Sequence, residues 1–85
     1  MSQSQETRHR ATILGSDSQP LADGEVVVHP LGTRFIFWPR NPQLGPLIEK
    51  FAKGVRIGGL IPYKIERVVR HPGSDPPEYE LYLVV

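Results

Sequence analysis

The chain has 85 residues, a mass of 9.6 kDa and a net charge of +1, and it contains no cysteine. The length allows one small domain and excludes a separate catalytic domain, and the lack of cysteine excludes disulfides, thiolate zinc sites and thiol nucleophiles. No apolar run approaches the roughly 20 residues of a membrane span, and the polar first residues do not resemble a signal peptide. We therefore expect a cytoplasmic protein with no membrane contact.

Charge is distributed unevenly along the chain. Residues 1–33 carry two basic and four acidic side chains, residues 34–71 carry eight basic and two acidic ones, and residues 72–85 carry three acidic ones. The three segments therefore have net charges of −2, +6 and −3. A basic segment between two acidic ones can present a positive face to an anionic partner, although the charges can also interleave and cancel on folding.

The N-terminal half predicts a disordered tail followed by three strands. Residues 1–7 have no periodicity and no aromatic side chain, so we expect a tail there and a single domain over residues 8–85. Strands are predicted at 10–14, 25–29 and 33–38, and a polar loop at 16–24. The turn Pro30-Leu31-Gly32 joins the last two strands into a predicted hairpin.

A short helix is predicted after the proline-rich and glycine-rich segment 39–45. Pro46 suits the first helical position, and Gly54 suits the position just past the end. Leu47, Ile48 and Phe51 fall on one face of the two turns between them. Because so short a helix is unstable alone, this apolar stripe is expected to dock on the sheet.

Three further strands are predicted at 55–60, 63–70 and 79–85. Gly58-Gly59 implies a bulge, a bend or a close backbone approach in the first of them. The other two alternate and form a second predicted hairpin. Its expected buried side consists of Tyr63, Ile65 and Val69 with Leu81, Leu83 and Val85.

The resulting order, β-β-β-α-β-β-β, predicts an α+β, mostly β domain. It would be a small antiparallel sheet or a partly open barrel, OB-like or SH3-like, with one short helix between the third and fourth strands. The position of the helix is also that of the helix in OB-type barrels, many of which bind oligonucleotides. This analogy concerns the order of elements only.

Aromatic and basic residues alternate at 33–40. In an extended strand Phe35 and Phe37 share one face and suit the core, opposite the valines of the preceding strand, which leaves Arg34 and Trp38 outward. A flat ring beside cations is the composition that stacks bases and holds phosphates. The alternative is that Trp38 packs under the loop that follows it and only closes the end of the domain.

Arg67 is anomalous because period-two counting places it on the apolar face with Tyr63, Ile65 and Val69. A buried arginine without a partner is costly, so Arg67 must reach the rim, pair with an acid such as Glu80 or Glu78, or line a groove.

No constellation for catalysis is apparent. His9, His29 and His71 are too far apart in the sequence for a local metal motif, and no serine lies in a G-x-S-x-G elbow. The sequence therefore predicts a protein without catalytic residues, metal or cofactor, although a minor enzyme subunit is a third class of function that remains open.

These observations predict a small non-enzymatic binding module for an anionic partner, with nucleic acid as the leading candidate. The predicted nucleic-acid-binding residues are Arg34, Trp38, Arg40, Lys53, Arg56, Lys64, Arg67 and Arg70. The alternative is a protein-interaction or inhibitor module, because the apolar strand at 79–85 could expose an edge that pairs with another chain or forms a homodimer.

Overall fold

The computed structural model describes residues 8–28, 34–59 and 62–84. These residues form strands β1 (His9–Leu14), β2 (Pro20–Val28), β3 (Arg34–Pro39), β4 (Gly54–Ile57), β5 (Tyr63–Arg70) and β6 (Tyr79–Leu83), the helix α1 (Gly45–Phe51), and 3-10 turns at Ser16–Ser18 and Pro42–Leu44. The helix lies between the third and fourth strands, as predicted. The predicted tail at 1–7 and the predicted turn at 30–32 lie outside the described residues.

The strands form a closed antiparallel barrel in the order β1-β2-β3-β6-β5-β4. Strands β1, β2 and β3 form a meander, after which β6 pairs with β3 and β4 pairs with β1. Both predicted hairpin pairings, β2 with β3 and β5 with β6, are confirmed. The mostly β prediction is also confirmed, and the barrel is closed rather than partly open.

The predicted free edge at 79–85 is wrong for the part of that segment in β6. This strand is hydrogen-bonded to β3 on one side and to β5 on the other. Leu81 and Tyr79 lie opposite Phe35 and Phe37, so that pairing β6 with β3 aligns two buried rows. Alternation along the sequence identifies the buried face of a strand, but it does not identify the strand's neighbours.

The core is apolar and fills the barrel interior. It contains the side chains of Ala11, Ile13, Ala22, Val26, Phe35, Phe37, Ile48, Val55, Ile65, Tyr79, Leu81 and Leu83. Phe35 and Phe37 are buried and Trp38 faces outward, as the alternation predicts. Val28 lies opposite Phe35 but is 46% exposed, because it is the last residue of β2.

Strand β2 is longer than predicted and includes residues 20–24, which were expected in a loop. These residues pair with β1, from Ala11 opposite Gly24 to Leu14 opposite Pro20. Pro20 is tolerated because it is the first residue of the strand and lies at a register shift. The turn-forming residue types at 20–24 therefore predicted a loop where pairing with β1 stabilises a strand.

Helix α1 docks on the barrel through one of its three predicted contacts. Ile48 is completely buried, whereas Leu47 is 40% exposed and Phe51 is 49% exposed. The predicted continuous stripe is therefore wrong, because the buried positions of the helix are Gly45 and Ile48, three residues apart. The helix ends at Phe51, and Gly54 begins β4.

A register shift between Ile65 and Arg67 corrects the predicted faces of β5. The extra residue at the shift reverses the alternation, so Ile65 is buried, Arg67 is exposed and Val68 packs against the core. Tyr63, predicted in the core, is 43% exposed. Strand β4 ends earlier than predicted, because Gly58 adopts a φ of +61° in the turn that follows it.

Candidate functional site

A groove of about 760 Å³ crosses the outer face of β1, β2 and β3. Its lining includes three arginines, two carboxylates and one indole, namely Arg8, Arg10, Arg40, Asp23, Glu25 and Trp38. Gly58 of the turn after β4 and Pro76 of the loop before β6 also line it. The volume lies within the range of about 300–1,000 Å³ that small-ligand sites occupy.

Strand register brings these side chains together. Arg10 lies opposite Glu25, and Glu25 lies opposite Trp38, so the three form a row across β1, β2 and β3. Their chain neighbours Val26 and Phe37 are completely buried. Because side chains alternate between the two faces of a strand, the row points away from the core and into the groove.

The side chain of Arg8 covers the ring of Trp38. Its guanidinium carbon lies 4.0 Å from the ring centroid, and its Nη1 lies 3.4 Å from Oε1 of Glu25. The two ion-paired side chains are 48% and 54% exposed, so the pair contributes only about 0–1 kcal/mol. A planar ligand that stacks on this face of the indole has to displace the guanidinium of Arg8.

Arg10 and Arg40 are the groove's available cations. Both are exposed, and in the described ranges neither lies within ion-pair distance of an acidic side chain. The backbone N–H of Arg40 donates to the carbonyl oxygen of Asp23 at 2.8 Å, which holds the end of β3 beside β2. The carboxylate of Asp23 accepts a hydrogen bond from Oγ1 of Thr12 at 3.1 Å.

A polar network borders the groove on the outer side of β3 and β6. Nε1 of Trp38 donates to Oε1 of Glu78 at 3.2 Å, and the other carboxylate oxygen of Glu78 lies 2.7 Å from Nδ1 of His71. Nε2 of His71 lies 3.3 Å from Oε1 of Glu80, whose second oxygen lies 2.8 Å from Nη1 of Arg34. The network therefore links the indole of Trp38, through the imidazole of His71, to the partly buried ion pair between Arg34 and Glu80.

The pKa values of the network follow from these contacts. The hydrogen bond to Glu78 raises the pKa of His71 most, and the hydrogen bond to Glu80 raises it further. Burial alone would raise the pKa of Glu80, but the hydrogen bond with His71 and the charge of Arg34 outweigh it and lower that pKa. The hydrogen bond to Tyr82, and then the charge of Glu80, raise the pKa of Arg34, which stays charged.

A second aromatic side chain with arginines lies on β3, β6 and β5. Tyr82 is opposite both Arg34 and Arg67, whose guanidinium carbons lie 5.4 and 4.4 Å from its ring centroid. The predicted pairing of Arg67 with Glu80 or Glu78 is not observed, because Glu80 pairs with Arg34 and His71, and Glu78 pairs with His71. Arg67 is exposed, and its guanidinium lies over the ring of Tyr82. The ring and both arginines belong to the outer face of the barrel.

The structure divides the eight predicted site residues among several surfaces. Trp38 and Arg40 line the groove, and Arg34 and Arg67 flank Tyr82. Arg56 lies opposite Thr12, beside the groove but outside its lining. The other three, Lys53 before β4 and Lys64 and Arg70 on β5, do not line the groove.

The sequence interpretation missed Arg8, which precedes β1, and Arg10, which lies within it; both belong to a segment of net negative charge. The outward phase of Arg10 next to buried Ala11 was readable from alternation, but its proximity to Trp38 depends on the register of three strands. The interpretation also missed the network around His71, which combines two loop residues, His71 and Glu78, with side chains of β3 and β6.

Across residues 8–28, 34–59 and 62–84, no three His, Asp or Glu side chains converge on a point that could hold a metal ion. In the same ranges, no helix has the length and apolar character needed to cross a bilayer. Compared with known proteins, the chain matches no family model, no curated protein and no solved structure.

Proposed function

We propose that this chain is a small non-enzymatic binding module that takes an anionic partner, a single-stranded nucleic acid, in the groove on β1, β2 and β3. The observation that supports it most directly is the row Arg10, Glu25 and Trp38, with Arg8 over the indole and Arg40 beside it. An aromatic ring with one guanidinium over it and two more in the same groove offers stacking to a base and charge to the neighbouring phosphates.

The two kinds of charge in the groove suggest a division of roles. Arg10 and Arg40 are exposed and suit phosphate oxygens, which carry most of the affinity of such complexes. The carboxylates of Asp23 and Glu25 are hydrogen-bond acceptors and suit the amino groups of bases, such as N4 of cytosine. Stacking on Trp38 would add about 1–3 kcal/mol per base.

We do not propose the alternative function, a protein-interaction or inhibitor module that acts through a free C-terminal edge strand. Strand β6 has a partner on both sides, so its backbone groups are already paired within the barrel.

Binding of a labelled single-stranded oligonucleotide, followed by fluorescence anisotropy across a salt series, tests the proposal. Log affinity should fall linearly with log salt by about 0.7 per contacted phosphate, so phosphate contacts from Arg10 and Arg40 alone predict a slope of about −1.4. The double variant Arg10→Ala, Arg40→Ala should weaken binding at least about a hundredfold, since each charged contact contributes roughly 1.5 kcal/mol or more and each loss of about 1.4 kcal/mol is tenfold in affinity. Absent binding at low salt, or affinity independent of salt, contradicts the proposal.

A control variant, a second double variant and a fluorescence measurement show whether binding takes place in the groove. Lys50→Ala removes an exposed charge on α1 that does not line the groove, and it should leave affinity unchanged at moderate salt. The double variant Arg56→Ala, Arg70→Ala tests whether the wider basic surface predicted from the sequence extends the footprint. Trp38 is the single tryptophan, so protection of its fluorescence from acrylamide by bound oligonucleotide reports stacking directly.

A further inference from the structure

His71 is held between two carboxylates. Its Nδ1 lies 2.7 Å from Oε2 of Glu78 and its Nε2 lies 3.3 Å from Oε1 of Glu80. An ionised carboxylate only accepts hydrogen bonds, so satisfying both contacts requires a proton on each ring nitrogen. The arrangement therefore suits the imidazolium form, because neutral imidazole can donate to only one of the two carboxylates.

Glu78 transmits this arrangement to the groove. The carboxylate that contacts His71 through one oxygen accepts the indole N–H of Trp38 on the other, at 3.2 Å. The loop between β5 and β6 is also closed on His71, whose backbone N–H donates to the carbonyl oxygen of Glu78 at 3.0 Å. Oγ of Ser74 donates to the carbonyl oxygen of His71 at 2.7 Å, and Pro76 of the same loop lines the groove.

We propose that His71 is a proton-dependent positioning residue for the groove: as imidazolium it holds Glu78 against the indole of Trp38, and on losing its charge it attracts Glu78 less strongly, which loosens the indole. The consequence for ligand affinity rests on the function proposed above. The effect on Trp38 does not, because it is a property of the unliganded chain.

The groups around His71 support assigning the titration to this residue. Glu78 faces it from its own loop, Glu80 and Tyr82 from β6, Arg34 from β3 through Glu80, and Arg70 precedes it on β5. The pKa of Glu80 is lowered and that of Arg34 is raised, so both stay charged where an imidazole titrates. The pKa of His71 itself is raised, chiefly by Glu78.

The test follows the unliganded protein from about pH 5.5 to about pH 9, across the range in which histidine titrates. Proton NMR records the imidazole of His71 and the indole N–H of Trp38, with fluorescence as a second readout. We expect the Trp38 signals to change with the same midpoint as the imidazole of His71, and that midpoint to lie above the ordinary value of 6.5.

Three variants separate positioning from a merely structural role. His71→Gln should abolish the pH dependence of the Trp38 signals, and His71→Lys, which keeps a charge throughout the range, should hold the indole signals at their low-pH values. Glu78→Gln retains an acceptor for the indole but removes a charge, so it should lower the midpoint of His71. His9→Gln, at an exposed position on β1, is the matched control and should keep the wild-type titration.

Trp38 signals that do not change with pH in the wild-type chain overturn the proposal, and this measurement requires no variant to fold. Signals that still titrate in folded His71→Gln also overturn it. A repeat with the labelled oligonucleotide separates the two hypotheses. If Trp38 follows His71 but no oligonucleotide binds, the positioning role stands and the nucleic-acid function fails; if binding occurs and Trp38 ignores His71, the reverse holds.

Discussion

At the scale of single residues, Gly24 shows how the barrel wall and the groove depend on each other. It lies opposite Ala11 on β1 and Pro39 on β3, one residue from the row that forms the groove floor. A Cβ atom at this position would collide with the backbone carbonyl oxygen of Trp38 and with the ring of Phe37. Position 24 therefore requires glycine, because the ring of Phe37 and the backbone of Trp38 occupy the space that a side chain would need.

Gly24→Ala should destabilise the fold by about 1–3 kcal/mol or more, because one of the colliding groups is backbone and cannot move away by a rotamer change. Gly59→Ala is the matched control. A Cβ at Gly59 has open space and no left-handed φ to adopt, so the expected change lies within about 0.5 kcal/mol. Urea unfolding followed by circular dichroism gives both values, and equal stability of the two variants would contradict the packing described here.

At the scale of elements, local sequence patterns predicted the strands and hairpins better than they predicted which strands from distant parts of the chain pair with each other. The alternation in β3 correctly placed Phe35 and Phe37 inward and Trp38 outward. The same rule misplaced Arg67, because a register shift adds one residue that composition does not reveal. Pairing of β3 with β6 and of β1 with β4 joins distant segments, and the groove depends on such long-range geometry as well as on local alternation.

Helix α1 offers a sharp test of element docking, since adjacent aliphatic residues differ in burial. Ile48 is completely buried and Leu47 is 40% exposed. Ile48→Ala should lower the free energy of unfolding by about 2–5 kcal/mol, because it removes buried apolar atoms and leaves a cavity. Leu47→Ala removes the same number of carbon atoms at the surface and should lower that free energy by well under half as much. Thermal and urea unfolding of the two variants measure the difference; similar losses would place the helix in another orientation.

At the scale of the whole molecule, closure of the barrel changes the argument about assembly. The sequence predicted a possible homodimer from a free edge at 79–85, but β6 pairs on both sides in the part of the chain that the structure describes. A homodimer therefore cannot form by strand addition at β6. The outer faces of the described strands instead carry the arginines, acids and aromatic rings of the groove and of the His71 network.

The same network predicts how the stability of the whole chain depends on pH. The folded-state pKa of His71 lies above its ordinary value of 6.5, so its contribution is complete below about pH 6.5 and is lost as pH rises through the folded pKa. The folded-state pKa of Glu80 lies below its ordinary value of 4.5, so its contribution is complete above that pH and is lost as pH falls through the folded pKa.

Both contributions are therefore complete together between about pH 4.5 and pH 6.5, and the thermal midpoint should be highest in that window. A scan from about pH 2 to about pH 9 covers both losses, and it stays below the ordinary pKa of 10.0 of Tyr79, which burial raises further. His71→Gln should flatten the alkaline side of the profile and also reduce the acidic side, because the charge of Arg34 still lowers the pKa of Glu80 but the hydrogen bond from the imidazole is lost. His9→Gln should reproduce the wild-type curve, and a wild-type midpoint that rises steadily from pH 6 to pH 9 would show that His71 is not stabilised as imidazolium in the fold.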